Sequence, residues 1–317
     1  MDSTRHRPFA ALVSLVLTLA VSTAVAQTPT PQAATPPAAV QNPVVKEAQQ
    51  RASEGRHADA LELYRKALAA DPKLFGAQLG IGQMLDMLGQ YEEARQQLAK
   101  AIELASPATK DQARTAMAVS YAFESRAADA GKYYEQVLND RVAAANFNGA
   151  AGTANAMARA YLESGDLTNA EKWYRTGYET SKKIKDLTPA QSDLWQMRWL
   201  HAQARIAARR GAAAEARTHA AAMKTLLDKG ENENERPQYH YLLGYLALEA
   251  GELDTAVAEL QKANLEDSFV IGLLAQAYAK KGDVAKATEY HHKALAAPAH
   301  GLNTAFSRQW ARKYLKK

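Results

Sequence analysis

The sequence predicts an all-α fold: a superhelical solenoid of six to seven stacked helix pairs, finished by one last helix. Three observations predict it. Beyond Pro43 the chain is heavy in Ala, Leu, Glu, Lys, Arg and Gln, residues that favour helix, and carries few strand signals. Gly55, Ala60, Tyr64, Ala67 and Pro72 are echoed by Gly89, Ala94, Leu98, Ala101 and, one residue late, Pro107, so the glycines lie 34 residues apart. The echo then continues to the end of the chain, and tandem repetition of one small motif leaves little room for another architecture.

The opening residues read as an export signal. Arg5, His6 and Arg7 form a short basic start, Phe9 to Val21 an apolar run, and Ala24-Val25-Ala26 a small-x-small cleavage site. Residues 1–26 are therefore expected to be a signal peptide, with the mature chain starting at Gln27. The competing reading is an uncleaved anchor, but the run is short for a span of about 20 residues and contains Ser14 and Thr18. No later stretch is apolar enough to cross a bilayer, so no integral membrane segment is expected after cleavage. Cysteine is absent. That removes disulfides, thiol nucleophiles, thiolate metal sites and the acylated cysteine of a lipoprotein. A periplasmic or secreted bacterial protein is the expectation. Residues 27–43, rich in Pro, Ala and Thr and without charge, predict an extended linker.

Residues 44–302 hold the repeats. Each unit reads as two antiparallel helices joined at a glycine that ends the first, with small residues where the helices approach and a Pro where the second must stop. After the first two units come Ala118, Tyr121, Ser125, Ala130 and Tyr134, with Ser in place of the turn glycine. Ala158, Tyr161, Gly165, Ala170 and Tyr174 make a fourth, and Ala204, Gly211, Ala216 and Met223 a weaker fifth. Gly244, Gly251, Ala256, Leu260 and Ala263 make a sixth; Ala275, Tyr278, Gly282, Ala287 and Ala294 a seventh. The spacing is uneven. Thr168–Asp186 and Pro189–Arg210 each read as one long helix, and Gly251 to Gly282 is only 31 residues, which predicts a short connector near Asn264–Asp267. Lys229–Pro237 reads as an exposed charged connector. Residues 303–317, opening on Asn303 as a capping residue, place Phe306, Trp310 and Tyr314 on one helix face, as a cap over the last repeat requires. Arg308, Arg312, Lys313, Lys316 and Lys317 are expected on its other sides. The competing reading is a basic helix resting on anionic lipid.

These motifs resemble the tetratricopeptide repeat superfamily over nearly all of the chain beyond the linker. The resemblance implies a right-handed superhelix whose first helices line a concave face where partners lie. In the motif frame the inward residues are Leu79, Gln83 and Asp86; Asn155, Arg159 and Leu162; Arg198, His201, Arg205 and Arg209; and Gln238, Tyr241, Tyr245 and Glu249. Arg198, His201, Arg205 and Arg209 recur every three or four residues and so share a face. With Asn155, Arg159, Tyr241 and Tyr245 they form the candidate groove, a basic trough with an aromatic wall. Arginine's fixed fork of donors suits carboxylate and phosphate, so the expected ligand is an acidic peptide, a C-terminal carboxylate or an anionic glycan. A solvated basic face balanced by nearby acids such as Asp193 is the competing reading. The paired Lys and Asn with which some family members hold a peptide C-terminus are absent. Trp195 and Trp199, one turn apart, read as packing or as a groove anchor.

Catalytic chemistry has no specific signal. There is no HExxH, no GxSxG and no GxxxxGK loop, and Gly80-Ile81-Gly82 falls inside a helix pattern. His291, His292 and His300 lack workable ligand spacing, and the adjacent pair reads as solvent-facing, so neither metal nor cofactor is expected. The net charge of +5 is mild for a nucleic-acid binder. A non-enzymatic scaffold in the bacterial envelope, binding a protein or peptide segment in its concave groove, is the expected function. The alternative is a glycan-associated subunit of a polysaccharide export or synthesis machine.

Overall fold

The computed structural model describes residues 42–316. The predicted signal peptide and all but the end of the linker lie outside the described residues. The Asn42 side chain accepts from the backbone N–H of Val44 at 3.0 Å and of Val45 at 3.3 Å, and Pro43 takes the first helical position, where its missing N–H costs nothing. Pro43 is therefore helix, where the composition had suggested spacer.

Seven helix pairs follow: α1 (Pro43–Ser53) with α2 (His57–Ala70), α3 (Phe75–Leu88) with α4 (Tyr91–Leu104), α5 (Lys110–Ala122) with α6 (Ala127–Ala143), α7 (Phe147–Ser164) with α8 (Leu167–Ser181), α9 (Pro189–Arg209) with α10 (Ala213–Leu227), α11 (Arg236–Ala250) with α12 (Leu253–Leu260), and α13 (Ser268–Lys281) with α14 (Val284–Ala296). A last helix, α15 (Leu302–Leu315), completes the fold, and no strand occurs among the described residues. The repeated motif alanine is the hinge of the packing. Ala60, Ala94, Ala130, Ala170, Ala216, Ala256 and Ala287 are all buried, one per pair, where a larger side chain would hold the two backbones apart. Gly80 serves the same end: a methyl group there would overlap the Tyr64 ring. Ser125 takes over the left-handed turn position at φ +57°, a conformation that costs a non-glycine residue about 1 kcal/mol.

The uneven spacing is absorbed differently from the sequence expectation. α8 stops at Ser181 rather than reaching Asp186, and residues 182–188 form an irregular link. Thr188 then starts α9 with a capping box: its hydroxyl accepts from Gln191 N–H at 3.2 Å, and Gln191 returns a bond to Thr188 N–H at 2.9 Å. The short Gly251–Gly282 interval is met by an eight-residue α12 rather than a short connector. The Lys229–Pro237 segment is more than an exposed link, since Asn232 is buried and its amide donates to the Ala190 carbonyl at 3.0 Å, while Arg236 and Pro237 already belong to α11.

The last helix departs most. Its cap is Gly301, not Asn303; Asn303 lies in the first turn and donates to Asp267 at 2.7 Å. Phe306 and Trp310 pack on Phe269 of α13, with ring centroids 6.1 and 5.0 Å away, and Tyr314 stacks on His291 at 4.4 Å, the capping role its spacing predicted. Of its basic residues, Lys313 and Lys316 are exposed, but Arg308 and Arg312 are not left to solvent. Arg308, 5% exposed, donates to the carbonyls of Met87 at 2.8 Å and Ala297 at 3.4 Å. Arg312 donates to the same Met87 carbonyl at 3.1 Å and to the Tyr91 hydroxyl. The helix also touches α5 and α7. It therefore lies in the concave face, bridging the last pair to the second, and its polar side meets a second wall. No described helix is long and apolar enough to cross a membrane.

Candidate binding pocket in the concave face

With α15 seated, the middle of the concave face stays open as a pocket of about 450 Å3. The first helices α7, α9 and α11 supply its walls, and Leu302 and Asn303 at the start of α15 close one side. Of the eight candidate groove residues, Asn155, Arg159, Arg198, His201, Arg205 and Tyr241 line it. Their convergence follows from helix geometry. Arg198, His201 and Arg205 repeat at one-turn intervals on α9, while Arg159 and Tyr241 occupy matching positions on the neighbouring first helices.

Arg209 and Tyr245 are placed elsewhere. Tyr245 is 1% exposed and belongs to the core, and Arg209 donates to its hydroxyl at 3.4 Å beside a separate cavity of about 300 Å3. The trough drawn from sequence therefore ends at Arg205. The reason is Glu163, a buried carboxylate on α7 that the motif frame did not mark as inward. It accepts from Arg205 Nη2 at 2.6 Å and lies 3.8 Å from Arg209 Nη1. Asp193, the expected counter-charge, pairs with Lys229 at 2.6 Å. The signal that could have found Glu163 is its position one turn after Arg159, on the same face of α7.

The pocket's polar groups are short of partners. Of the eight buried side-chain polar atoms among the described residues that lack a hydrogen-bond partner in the protein, five belong to its lining: Arg159 Nε and Nη2, His201 Nε2, Arg205 Nε and the Tyr241 hydroxyl. Arg159 makes no ion pair with Glu163, which is taken by Arg205; its guanidinium rests 4.3 Å above the Phe269 ring. Arg198 is exposed and lies 4.6 Å over Trp195. Burial, then the neighbouring charges of Arg205 and Arg159, holds the His201 imidazole well below its ordinary pKa of 6.5, so the ring is neutral at neutral pH. Burial raises the Tyr241 phenol to about 12, against the pull of Arg205 and Arg159. Three guanidinium groups thus line the pocket against one carboxylate, Glu235. The two tryptophans pack: Trp195 is 5% exposed, and Trp199 stacks on Tyr178 with centroids 5.6 Å apart.

A second polar cluster lies where the 297–301 connector meets α3. Asp86, fully buried, accepts from the Ser120 hydroxyl at 2.7 Å and sits 2.8 Å from His300 Nε2. Both contacts end on the carboxylate, so the imidazole is not placed to take the serine proton, as a nucleophilic triad requires. The cluster is a structural tie between distant parts of the chain. His291, read from sequence as one of a solvent-facing pair, is instead 2% exposed beneath Tyr314, because α15 covers α14. Burial, then His292, lowers its pKa to about 4. Among the described residues no group of three or more His, Cys, Asp or Glu could hold a metal ion.

A family model described as tetratricopeptide repeat matches residues 51–118. The helix-pair array is similar to a structure of nearly identical TPR-like repeats from Podosopora anserina, at 17% identity and a TM-score of 0.50, covering 60% of this chain and 96% of that one. It is also similar to a tetratricopeptide repeat protein from Parabacteroides merdae, at 13% identity and a TM-score of 0.44, over 79% of this chain and 90% of that one. A third similar structure is the Rap conjugation gene regulator of plasmid pLS20 in complex with the Phr* peptide, at 16% identity and a TM-score of 0.46, over 86% and 74% of the two chains. No curated protein matches the sequence. Residues 51–118 thus match the tetratricopeptide repeat model, and the described helix pairs share the fold of TPR-like repeat arrays.

Proposed function

We propose that the protein is an exported, non-enzymatic interaction scaffold of the bacterial envelope that holds an acidic segment of a partner protein in the open middle of its concave face. Export rests on the basic start, the apolar run from Phe9 to Val21 and the small residues Ala24 and Ala26. The observation that carries the binding reading is the convergence of Asn155, Arg159, Arg198, His201 and Tyr241 on a stretch of that face which α15 leaves uncovered. Arg198 supplies exposed charge to draw an acidic segment in, and the half-buried Asn155, Arg159 and His201 with buried Tyr241 supply directed donors. An acidic glycan is the second arm of the test. Tyr241 is only 6% exposed and gives a sugar ring no open face to stack on, which favours the peptide.

The experiment is titration of the mature chain from Gln27 with blocked acidic peptides and with an acidic oligosaccharide, beside the variant Arg198→Glu. The expected result is saturable peptide binding that weakens at least tenfold in the variant and falls with added salt. Peptide binding untouched by Arg198→Glu moves the site to another surface. Binding of the oligosaccharide alone replaces the peptide reading with the glycan one.

A further inference from the structure

We propose that the floor of this pocket is an oxyanion site, in which one carboxylate, sulfate or phosphate group is held jointly by α7, α9, α11 and the N-terminus of α15. The inference shares the pocket with the partner reading above and rests on it only for the source of the anion.

Two independent observations carry it. The first is the set of buried groups without partners. Tyr241 is 94% buried by the complement of its 6% exposure, lines the pocket, and its hydroxyl bonds to nothing in the protein. Arg159 lines the same space with Nε and Nη2 unpartnered, the two nitrogens on one edge of the fork that can grip two oxygens side by side. His201 Nε2 and Arg205 Nε add further unpartnered nitrogens. Native interiors rarely tolerate so many orphaned polar atoms in one place, and a guanidinium edge buried without a partner, as in half-buried Arg159, is costly. An oxyanion answers both deficits, since it is acceptor-only and negative.

The second observation is the start of α15. This helix runs 14 residues and has no side-chain cap. Its first backbone N–H groups have no intrahelical acceptor, and the dipole places partial positive charge there. Leu302 and Asn303, its first two residues, line the pocket. An anion here would therefore be bound from both sides: by side chains of the middle repeats and by the N-terminus of the helix that fills the concave face. Glu235 at the pocket edge is the one lining carboxylate, and Glu163 is already engaged with Arg205, so the guanidinium of Arg159 has no internal competitor for the ligand.

The position of Gly301 gives a specific test. Its backbone is extended and a Cβ there would meet nothing within 4 Å, so Gly301→Asp is sterically free and puts a carboxylate at the N-cap of α15. That residue would occupy the helix end itself and compete with the external anion. The experiment is isothermal titration of the mature chain with inorganic phosphate, with acetate and with a blocked tetra-glutamate peptide, at fixed ionic strength set with chloride. Binding to one site is expected, weakened at least tenfold in Arg159→Gln, Tyr241→Phe and Gly301→Asp, and unchanged in the surface variant Lys182→Ala. Binding that is the same in Arg159→Gln and the parent, or no heat above the chloride baseline for all three probes, overturns the inference. If the peptide binds through Arg198 while Arg159→Gln and Gly301→Asp leave it unaffected, the oxyanion site falls and the partner reading stands. If phosphate or acetate binds as expected and the peptide does not, the oxyanion site stands with a free small anion as its source, and the partner reading falls.

Discussion

Two buried polar clusters occupy the concave face, and they differ in one respect. At the α3 end, Asp86 is matched by Ser120 and His300, and Arg308 and Arg312 donate to the Met87 carbonyl, so that Arg308 Nε is the one atom of the cluster left without a partner. In the middle, half-buried Arg159 and His201 and buried Tyr241 have similar chemistry but leave, with Arg205 Nε, five buried polar atoms without partners. The first cluster ties residues more than two hundred positions apart and is consumed by the fold. The second has capacity to spare. Composition alone would not separate them, since each holds histidine, arginine and a hydroxyl. Satisfaction of hydrogen bonds does, because a matched buried group stabilises the fold whereas an unmatched one costs about 1–3 kcal/mol until something binds it.

That contrast can be broken by mutation. Asp86→Ala should have the largest effect, a loss of about 3 kcal/mol in urea unfolding, because it strands His300 and Ser120 in a dry interior. Ser120→Ala removes one of the bonds to the same carboxylate and should cost about 1–2 kcal/mol, read in the same way. A stability loss below about 0.5 kcal/mol for both would mean that the tie is idle.

The pH dependence sharpens the comparison from the other side. The folded-state pKa of His201 is well below 6.5, and that of His291 is about 4. Below the unfolded value the unfolded chain takes up protons that the folded chain refuses. Stability contributed by these rings is therefore full above about pH 6.5 and declines as the pH falls toward the folded values. His201→Gln should make that decline shallower between about pH 7 and pH 5, measured as urea midpoints in chloride buffer. An unchanged slope would show that the ring is already protonated or already solvated.

Tyr241→Phe should have the smallest effect on the isolated protein, a change from zero to a gain of about 1 kcal/mol, because it deletes a hydroxyl with no partner and keeps the ring packing. A loss above about 1 kcal/mol in thermal unfolding would place that hydroxyl among the matched groups and erase the distinction between the clusters.

Much of the fold was legible because its cause is local. The 34-residue period, the turn glycines, Ser125 as their substitute, and the Thr188-Pro189 boundary all act within a helix or two. The seat of α15 was only half legible. Phe306, Trp310 and Tyr314 announced an apolar face by their spacing, but the reach of Arg308 to Met87 depends on how seven pairs curve, which no local pattern encodes. The site was legible to the same depth. Helical spacing placed Arg198, His201 and Arg205 on one face, whereas the neutralising contact from Glu163, 42 positions from Arg205, decides which arginine is left uncompensated. Besides exposed Arg198, that arginine is Arg159, and its status arises from what neighbouring helices do not supply.

The most direct measurement is side-chain nuclear magnetic resonance of the mature chain during titration with inorganic phosphate at constant ionic strength. Imidazole signals of His201 and guanidinium signals of Arg159 should move together and saturate, while those of His300, bonded to Asp86, stay fixed. Movement of His300 with no movement of His201 and Arg159, or no movement of any of them, would contradict the claim that the unmatched cluster is the binding site.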